Sequence, residues 1–483
     1  MQGLPLEVVP EVFNALSWRV GDLAACCRVC RTWNQLAIPK LYERLWLRDH
    51  LRVVRVFHTL ADSPHLAKHV RILVTYIEEL RVFPFGMPAE ELEVLEEKIV
   101  RSLHATINLR ELCWTRDGSL NDRILRTMFD NLQQLRKLEL TGNSKLWSPA
   151  LLCEVVPKSV CDLQIVLPDR NVIQYLPRLI KSVHKLEGLS LFCMNTSWVT
   201  DALLTEFAPN TSLRHLTLVG CKAVHGPGIL SLAKTGDLKM LALEGLMLPP
   251  ETFLSLLPYT QRVSSLTVTY PKHNEDVSLF FSYLTELICA CENLTSLTLY
   301  ARSGSAPALH GEDSSDSEEE QPILTLPERP MHPARSIALP AGTETAMVPV
   351  SMHHTDRNPR LSTLMLRRLI FSRAAQTLQR LWIYEMAVSM HQLQIIALSS
   401  MSDHLRDLVV HLYEFDVDAL ALYLSKFHCL QSVHIMSHVR SQADLSYDQL
   451  LSIARQCGES LVQIGFRNRV WNVVIRYGSR RLS

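Results

Sequence analysis

Few residues in this chain combine a reactive side chain with a spacing that chemistry could use. Cys27 and Cys30 form a Cys-x-x-Cys, which can seat two thiolates on one zinc ion. No second cysteine pair or histidine pair follows at ligand spacing. A redox role would need a thioredoxin-like βαβ setting, whereas the flanking residues read as helix. Both cysteines are therefore expected in a core or an interface, without metal. His353-His354 sits in a polar stretch and reads as solvated surface. The chain has no Gly-x-x-x-x-Gly-Lys-Ser/Thr phosphate loop and no Gly-x-Ser-x-Gly nucleophile elbow. Carboxylates are many, but no spacing singles out an acid–base pair. No catalytic residue and no cofactor are expected. One modification signal stands out: in the run from Glu312 to Glu320, Ser314, Ser315 and Ser317 lie among acids. Such serines suit acidophilic kinases, and each phosphate adds about −1.5 to −2 charge. A plain solvated spacer would read the same way.

The totals narrow the class of protein. A chain of 483 residues exceeds one ordinary core and must form several domains or a long repeat array. It is 47% hydrophobic and 20% charged, enough apolar content to bury most of it. Lys plus Arg equals Asp plus Glu at 49 each, which argues against a general nucleic-acid or membrane-surface binder. The first residues, MQGLPLEVVPEVF, lack a basic n-region and carry Glu7 and Glu11, unlike a secretory signal. No run of eighteen apolar residues occurs, so no membrane span is expected. Twelve scattered cysteines then read as reduced thiols of a cytoplasmic or nuclear protein.

The elements that must carry any site come from a recurring Leu-x-x-Leu-x-Leu pattern. It begins at Leu109, Leu135, Leu186, Leu213, Leu238, Leu294, Leu361, Leu378, Leu405 and Leu430, with looser copies from Val160, Val263 and Leu461. From Leu109 to Val263 the steps are 26, 25, 26, 27, 25 and 25 residues. Each motif alternates like a short strand, so Leu213, Leu216 and Leu218 point inward while His215, Thr217 and Val219 point away. Between motifs, apolar residues recur at helical spacing, as at Ala202, Leu203, Leu204 and Phe207. Neither face of such a strand–helix unit can be buried without neighbours, so the copies must stack. The pattern resembles the leucine-rich-repeat family, with the Gly220-Cys221 pair similar to its cysteine-containing subtype. The resemblance implies an α/β solenoid, a horseshoe with parallel strands inside and helices outside, spanning residues 109–301 and 359–483 with a C-terminal cap. Residues 302–358, rich in Ser, Pro, Gly and acid, read as a disordered insert. Residues 48–108 read as connecting helices and a first degenerate repeat. There Val70 opens the first strand and a long helix follows Pro88.

Residues 1–47 carry no repeat. Val9, Val12, Phe13 and Leu16 form one helical stripe, Asp22 suits the cap of a second helix, and a third runs from about Thr32 to Tyr42. Three short helices make a small core with large apolar groups to spare, which usually marks an interface. Leu4-Pro5, Glu7, Val12-Phe13, Leu16, Asp22-Leu23, Val29-Cys30-Arg31-x-Trp33 and Leu36 match the F-box family in order. The gap from Leu16 to Leu23 is about two residues longer than usual. This resembles the fungal type of F-box protein with leucine-rich repeats.

That resemblance implies a module docked on the Skp adaptor and, through it, on a cullin–RING ubiquitin ligase. Leu4, Pro5, Phe13, Leu16, Val29 and Trp33 are the expected anchors, although Phe13 and Trp33 equally suit closing the module's own core. The chain itself would be a non-catalytic receptor for an unidentified protein substrate, or a repeat scaffold that works without cullin. In such a solenoid the outward strand positions line the usual capture surface. Glu139, His215, Thr217, Glu244, Thr298 and Tyr300 occupy them in the earlier repeats. Later repeats offer Arg367, Trp382, Tyr384, His411, His434 and Arg467. Trp, Tyr and Arg are enriched at hot spots, which favours the later set, though terminal repeats also use large residues for capping.

Overall fold

The computed structural model describes the chain except residues 1–6, 17–18, 48–49, 76–87, 184, 194–195, 272–276, 302–358, 413–414, 438–444, 477–478 and 483. Leu4, Pro5, the three serines of the acidic run and the 302–358 segment lie outside the described residues. By its contacts the chain divides into two units. One comprises Met1–Thr269, Ser278–Leu297 and Ser372–Thr377, the other Tyr270–Val277, Thr298–Phe371 and Leu378–Ser483.

The first unit opens with α1 (Val9–Ala15), α2 (Val20–Cys26) and α3 (Arg31–Glu43). Strands follow as β1 (Arg44–Leu47), β2 (Ile72–Thr75), β3 (Glu111–Trp114), β4 (Lys137–Thr141) and β5 (Asp162–Val166). They continue as β6 (Leu186–Phe192), β7 (Thr211–Val219), β8 (Met240–Glu244), β9 (Ser265–Tyr270) and β10 (Ser296–Ala301), of which Tyr270 and Thr298–Ala301 count with the second unit. Returning between them are α4 (His50–Asp62), α5 (Pro64–Ala67), α6 (Ala89–Ala105), α7 (Asp122–Asn131) and α8 (Leu151–Glu154). After these come α9 (Arg170–Ser182), α10 (Asp201–Phe207), α11 (Pro227–Thr235), α12 (Glu251–Leu256) and α13 (Val277–Ala290). From β1 to β9 each strand pairs in parallel with the next. In the second unit, α14 (Pro359–Ile370) precedes β11 (Arg380–Val388), α15 (Met390–Ala397), β12 (Asp407–Leu412) and α16 (Val417–Leu424). Then come β13 (Ser432–Ser437), α17 (Tyr447–Gln456), β14 (Gln463–Phe466), β15 (Arg469–Arg476) and β16 (Ser479–Leu482). The run β11 to β14 is parallel, and β14, β15 and β16 close it with antiparallel pairs.

The register explains the spacing of the motif. Leu73, Leu112, Leu138, Leu163, Leu189, Leu216, Leu241 and Leu266 stand opposite one another on successive strands, each at most 1% exposed. In the second unit the same row is Leu381, Leu408, Val433 and Ile464. Because side chains alternate, a slip of one residue would expose the whole row. Helix starts are set locally. Asn121, Asp169 and Thr200 accept from the backbone N–H of Ile124, Val172 and Leu203, satisfying donors that the first turn leaves open. Ser389 with Gln392 and Ser446 with Gln449 form capping boxes at α15 and α17. Repeats are also tied to each other: the Asp201 carboxylate accepts from the backbone N–H of His225, Gly226 and Gly228 in the next repeat, at 2.8, 3.2 and 2.7 Å.

Three expectations need correction. The first strand does not open at Val70: it is β1, formed by RLWL at the end of residues 1–47, and it pairs with β2. The second helix starts at Val20, so Asp22 lies inside its first turn, paired with Arg19 at 3.0 Å, rather than capping it. The motif at Leu361 is not a strand. It belongs to α14, where Met365, Leu366 and Leu369 are buried. Their spacing fits a helix face, which a Leu-rich hexamer can supply as readily as a strand. Arg367 therefore sits exposed on a helix and leaves the expected strand surface.

Leu216→Ala should remove about 2–5 kcal/mol of stability, since its side chain is wholly buried in the row. Chemical denaturation of the variant beside wild type reads that loss as a lowered midpoint.

Candidate partner-binding surfaces

The helical module closes its own small core. Val9, Phe13, Leu23 and Ala37 are buried together, with Leu16, Cys26, Cys27, Trp33, Leu36 and Leu41 packed against them. Phe13 meets Trp33 edge-on, ring centroids 5.4 Å apart at 81°. Phe13 is 0% exposed, so it leaves the set of expected partner anchors. With the Trp33 ring against its edge, it fills the space between three short helices. Leu16 and Trp33 are half-buried on the edge of that core. Val29 stands clear of it at 51% exposure, as do Val8 and Val20. Cys27 and Cys30 have structural places. The Cys30 sulfur accepts from the Trp33 backbone N–H at 3.5 Å and so caps α3. The Cys27 carbonyl accepts from Asn34 Nδ2 at 2.8 Å, and burial raises the Cys27 thiol above its ordinary value. Among the described residues no group of three or more His, Cys, Asp or Glu could hold a metal ion.

In the first unit the strand positions facing away from the leucine row are Cys113, Glu139, Gln164, Ser190, Thr217 and Ala242, again opposite one another. Most are small. Glu139 and Ser190 are 4% exposed and Thr217 7%, while His215, one position back along β7, is exposed. Glu244 is half-buried at the end of β8. Strands about 4.8 Å apart press short side chains of one row against each other, so this stretch offers a partner little to grip. In the second unit, Thr298 on β10 is buried and Tyr300 is half-buried.

The second unit differs in kind. On the outward face of β11 the Arg380 guanidinium lies over the Trp382 ring, 5.1 Å from its centroid. Trp382 meets Tyr384 edge-on at 6.4 Å. Arg380 also pairs with Asp407 on β12 at 3.5 Å. Burial nevertheless holds the Asp407 carboxyl above its ordinary value, with Arg380 pulling the other way. The Trp382 indole N–H is buried and meets no acceptor among the described residues. His411 is buried on β12. On β13, His434 Nε2–H donates to the Arg467 carbonyl at 2.6 Å, which sets its tautomer because a carbonyl can only accept. Burial pushes the His434 imidazole below its ordinary value, against the pull of that hydrogen bond. Arg467, at φ 52°, donates from Nε to Ser437 Oγ at 3.1 Å and lies over Phe466 at 5.1 Å.

Five of the six residues expected to capture a substrate therefore share β11 to β14 and the turn beyond. Arg367 does not join them. Sequence reading passed over Gly465, on which the cluster depends. It stands opposite His434, and a Cβ there would lie 2.8 Å from the imidazole. Only glycine lets the ring lie flat across β14. Its one visible signal was a glycine at an outward strand position, which marks close approach.

Gly465→Ala should displace His434, cost about 1–3 kcal/mol and raise the imidazole titration seen by NMR. The sign for His434 itself follows from its lowered value. As pH falls the unfolded chain takes up the proton first, so stability is lost below the ordinary histidine value of about 6.5. Denaturation at pH 7 and pH 5.5 should show a lower midpoint in acid, and His434→Gln should lose part of that fall.

Residues 1–48 match the F-box-like family. No curated protein matches the chain. Similar solved structures include a complex of Rad7 and Elc1 in yeast, at 10% identity over 89% of this chain and 93% of that one, TM-score 0.40. Another is the leucine-rich repeat-containing protein LegL7 from Legionella pneumophila, at 11% identity over 74% of this chain and 91% of that one, TM-score 0.36. Both likenesses are distant, and the fold rests on the strand pairing described above. No helix among the described residues is long and apolar enough to cross a membrane. Residues 1–48 thus carry an F-box-like module, and the strands that follow it pair in parallel with a helix returning between successive strands.

Proposed function

We propose that this chain is the non-catalytic substrate receptor of a Skp–cullin–F-box ubiquitin ligase, working in the cytoplasm or nucleus. One observation carries the reading: an F-box-like module closes its own core and still leaves Val8, Val20 and Val29 exposed. A module of under fifty residues that packs Phe13 and Trp33 on each other and keeps aliphatic side chains outside is built to be covered by a partner. The Skp adaptor is the partner that an F-box implies, and cullin follows through it. The outward face of β11 to β14, with Trp382, Tyr384, His434 and Arg467, is the proposed capture surface for the protein substrate. Ubiquitin transfer would then be accelerated by proximity, the receptor holding a target lysine near a charged conjugating enzyme supplied by its partners. No reactive side chain is required of the receptor.

Two variants separate the two surfaces. Val29→Asp should cost the adaptor at least ~2 kcal/mol, roughly thirtyfold in affinity. Purified Skp adaptor and cullin should copurify with wild type and be lost together from the variant. Adaptor recovered without cullin from wild type would point instead to a scaffold. Trp382→Ala should keep adaptor and cullin while losing the proteins that accumulate on wild type under proteasome block. Retention of the same proteins by Trp382→Ala would refute the proposed capture face.

A further inference from the structure

Cys193 and Cys221 end successive strands of the first unit. Cys193 directly follows β6, and Cys221 lies two residues after β7, beyond Gly220 at φ 65°. Parallel pairing brings Phe192 opposite Val219, so the thiols, 28 residues apart in sequence, meet with sulfurs 3.4 Å apart. Both are free thiols. Cys221 is fully buried and Cys193 nearly so. The two differ in setting. The Cys193 sulfur accepts from the Cys221 thiol and from the Thr196 hydroxyl, which stabilise its thiolate and lower its titration. The Cys221 thiol is pushed far up by that same contact and by burial.

We propose that Cys193 and Cys221 form an oxidation-sensitive pair, with Cys193, the less deeply buried of the two, reacting first and Cys221 resolving, and that a peroxide converts them to a disulfide joining two repeats. The Cys193 thiolate attacks the peroxide, giving a sulfenic acid and an alcohol or water. The Cys221 thiol then attacks that sulfur and a second water leaves. Two thiols and one peroxide thus give one disulfide, with the peroxide as the two-electron oxidant. The sulfurs need approach by only about 1.4 Å to reach the disulfide length. The bond would fix β6 against β7 and so restrain the spacing of Ser190 and Thr217 on the outward face. It is independent of any ligase role.

The full-length protein, treated with hydrogen peroxide under native conditions, alkylated and then digested, tests this. A peptide linking Cys193 to Cys221, 2 Da below the sum of its reduced halves and released by dithiothreitol, is expected, with an unfolding midpoint raised by roughly 5 °C. Cys221→Ser should instead leave Cys193 as a sulfenic acid that dimedone traps. Should both cysteines alkylate as free thiols after peroxide while others among the twelve become oxidised, the proposal is overturned. It also fails if Cys221→Ser yields no dimedone adduct at Cys193.

Discussion

Everything in the repeats depends on one geometric condition: a buried aliphatic side chain on each strand, most often leucine, must stand opposite one on the next. Leu138, Leu163, Leu189 and Leu216 meet that condition in β4 to β7, and each is buried because its neighbours are. No repeat can satisfy it alone, so stability accrues between copies rather than within them. The same condition decides which side chains face out. Once Leu216 points inward, His215 and Thr217 have no choice but the other face.

That fixed face is then used in two ways. In the first unit it carries mostly short groups, Cys113, Ser190, Thr217 and Ala242, with Glu139 and Gln164 between them in the row. In the second unit it carries Trp382, Tyr384, His434 and Arg467, which reach further and are held by contacts with each other. The hold is specific: Gly465 vacates room for His434, and His434 in turn bonds the carbonyl of Arg467. Residues so preorganised lose less freedom on binding. The N-terminal module shows the converse arrangement, Phe13 turned inward against Trp33 and Val29 turned out.

Much of this was legible in the sequence because the period is strict. A spacing of 25 to 27 residues gave the strands, and alternation within each gave inward and outward positions. The exceptions are local. LSTLML from Leu361 has the letters of a strand motif, but its neighbours supply a helix face through Met365, Leu366 and Leu369, and pattern alone does not weigh the two. RLWL at β1 was masked by the helix before it. Phe13 carries a family signature whether it points in or out; only packing decides, and its edge-on contact with Trp33 decides for the core. Gly465 was unreadable as a site residue because its contribution is the absence of a side chain.

The central claim is that the F-box-like module, and not the repeats, takes up the adaptor. Hydrogen–deuterium exchange of the full chain, free and saturated with purified Skp adaptor, tests it most directly. The account predicts new protection within residues 1–48, centred on the turn that carries Val29, with exchange in β3 to β9 unchanged. Protection confined to the repeats, or none at saturating adaptor, would contradict it.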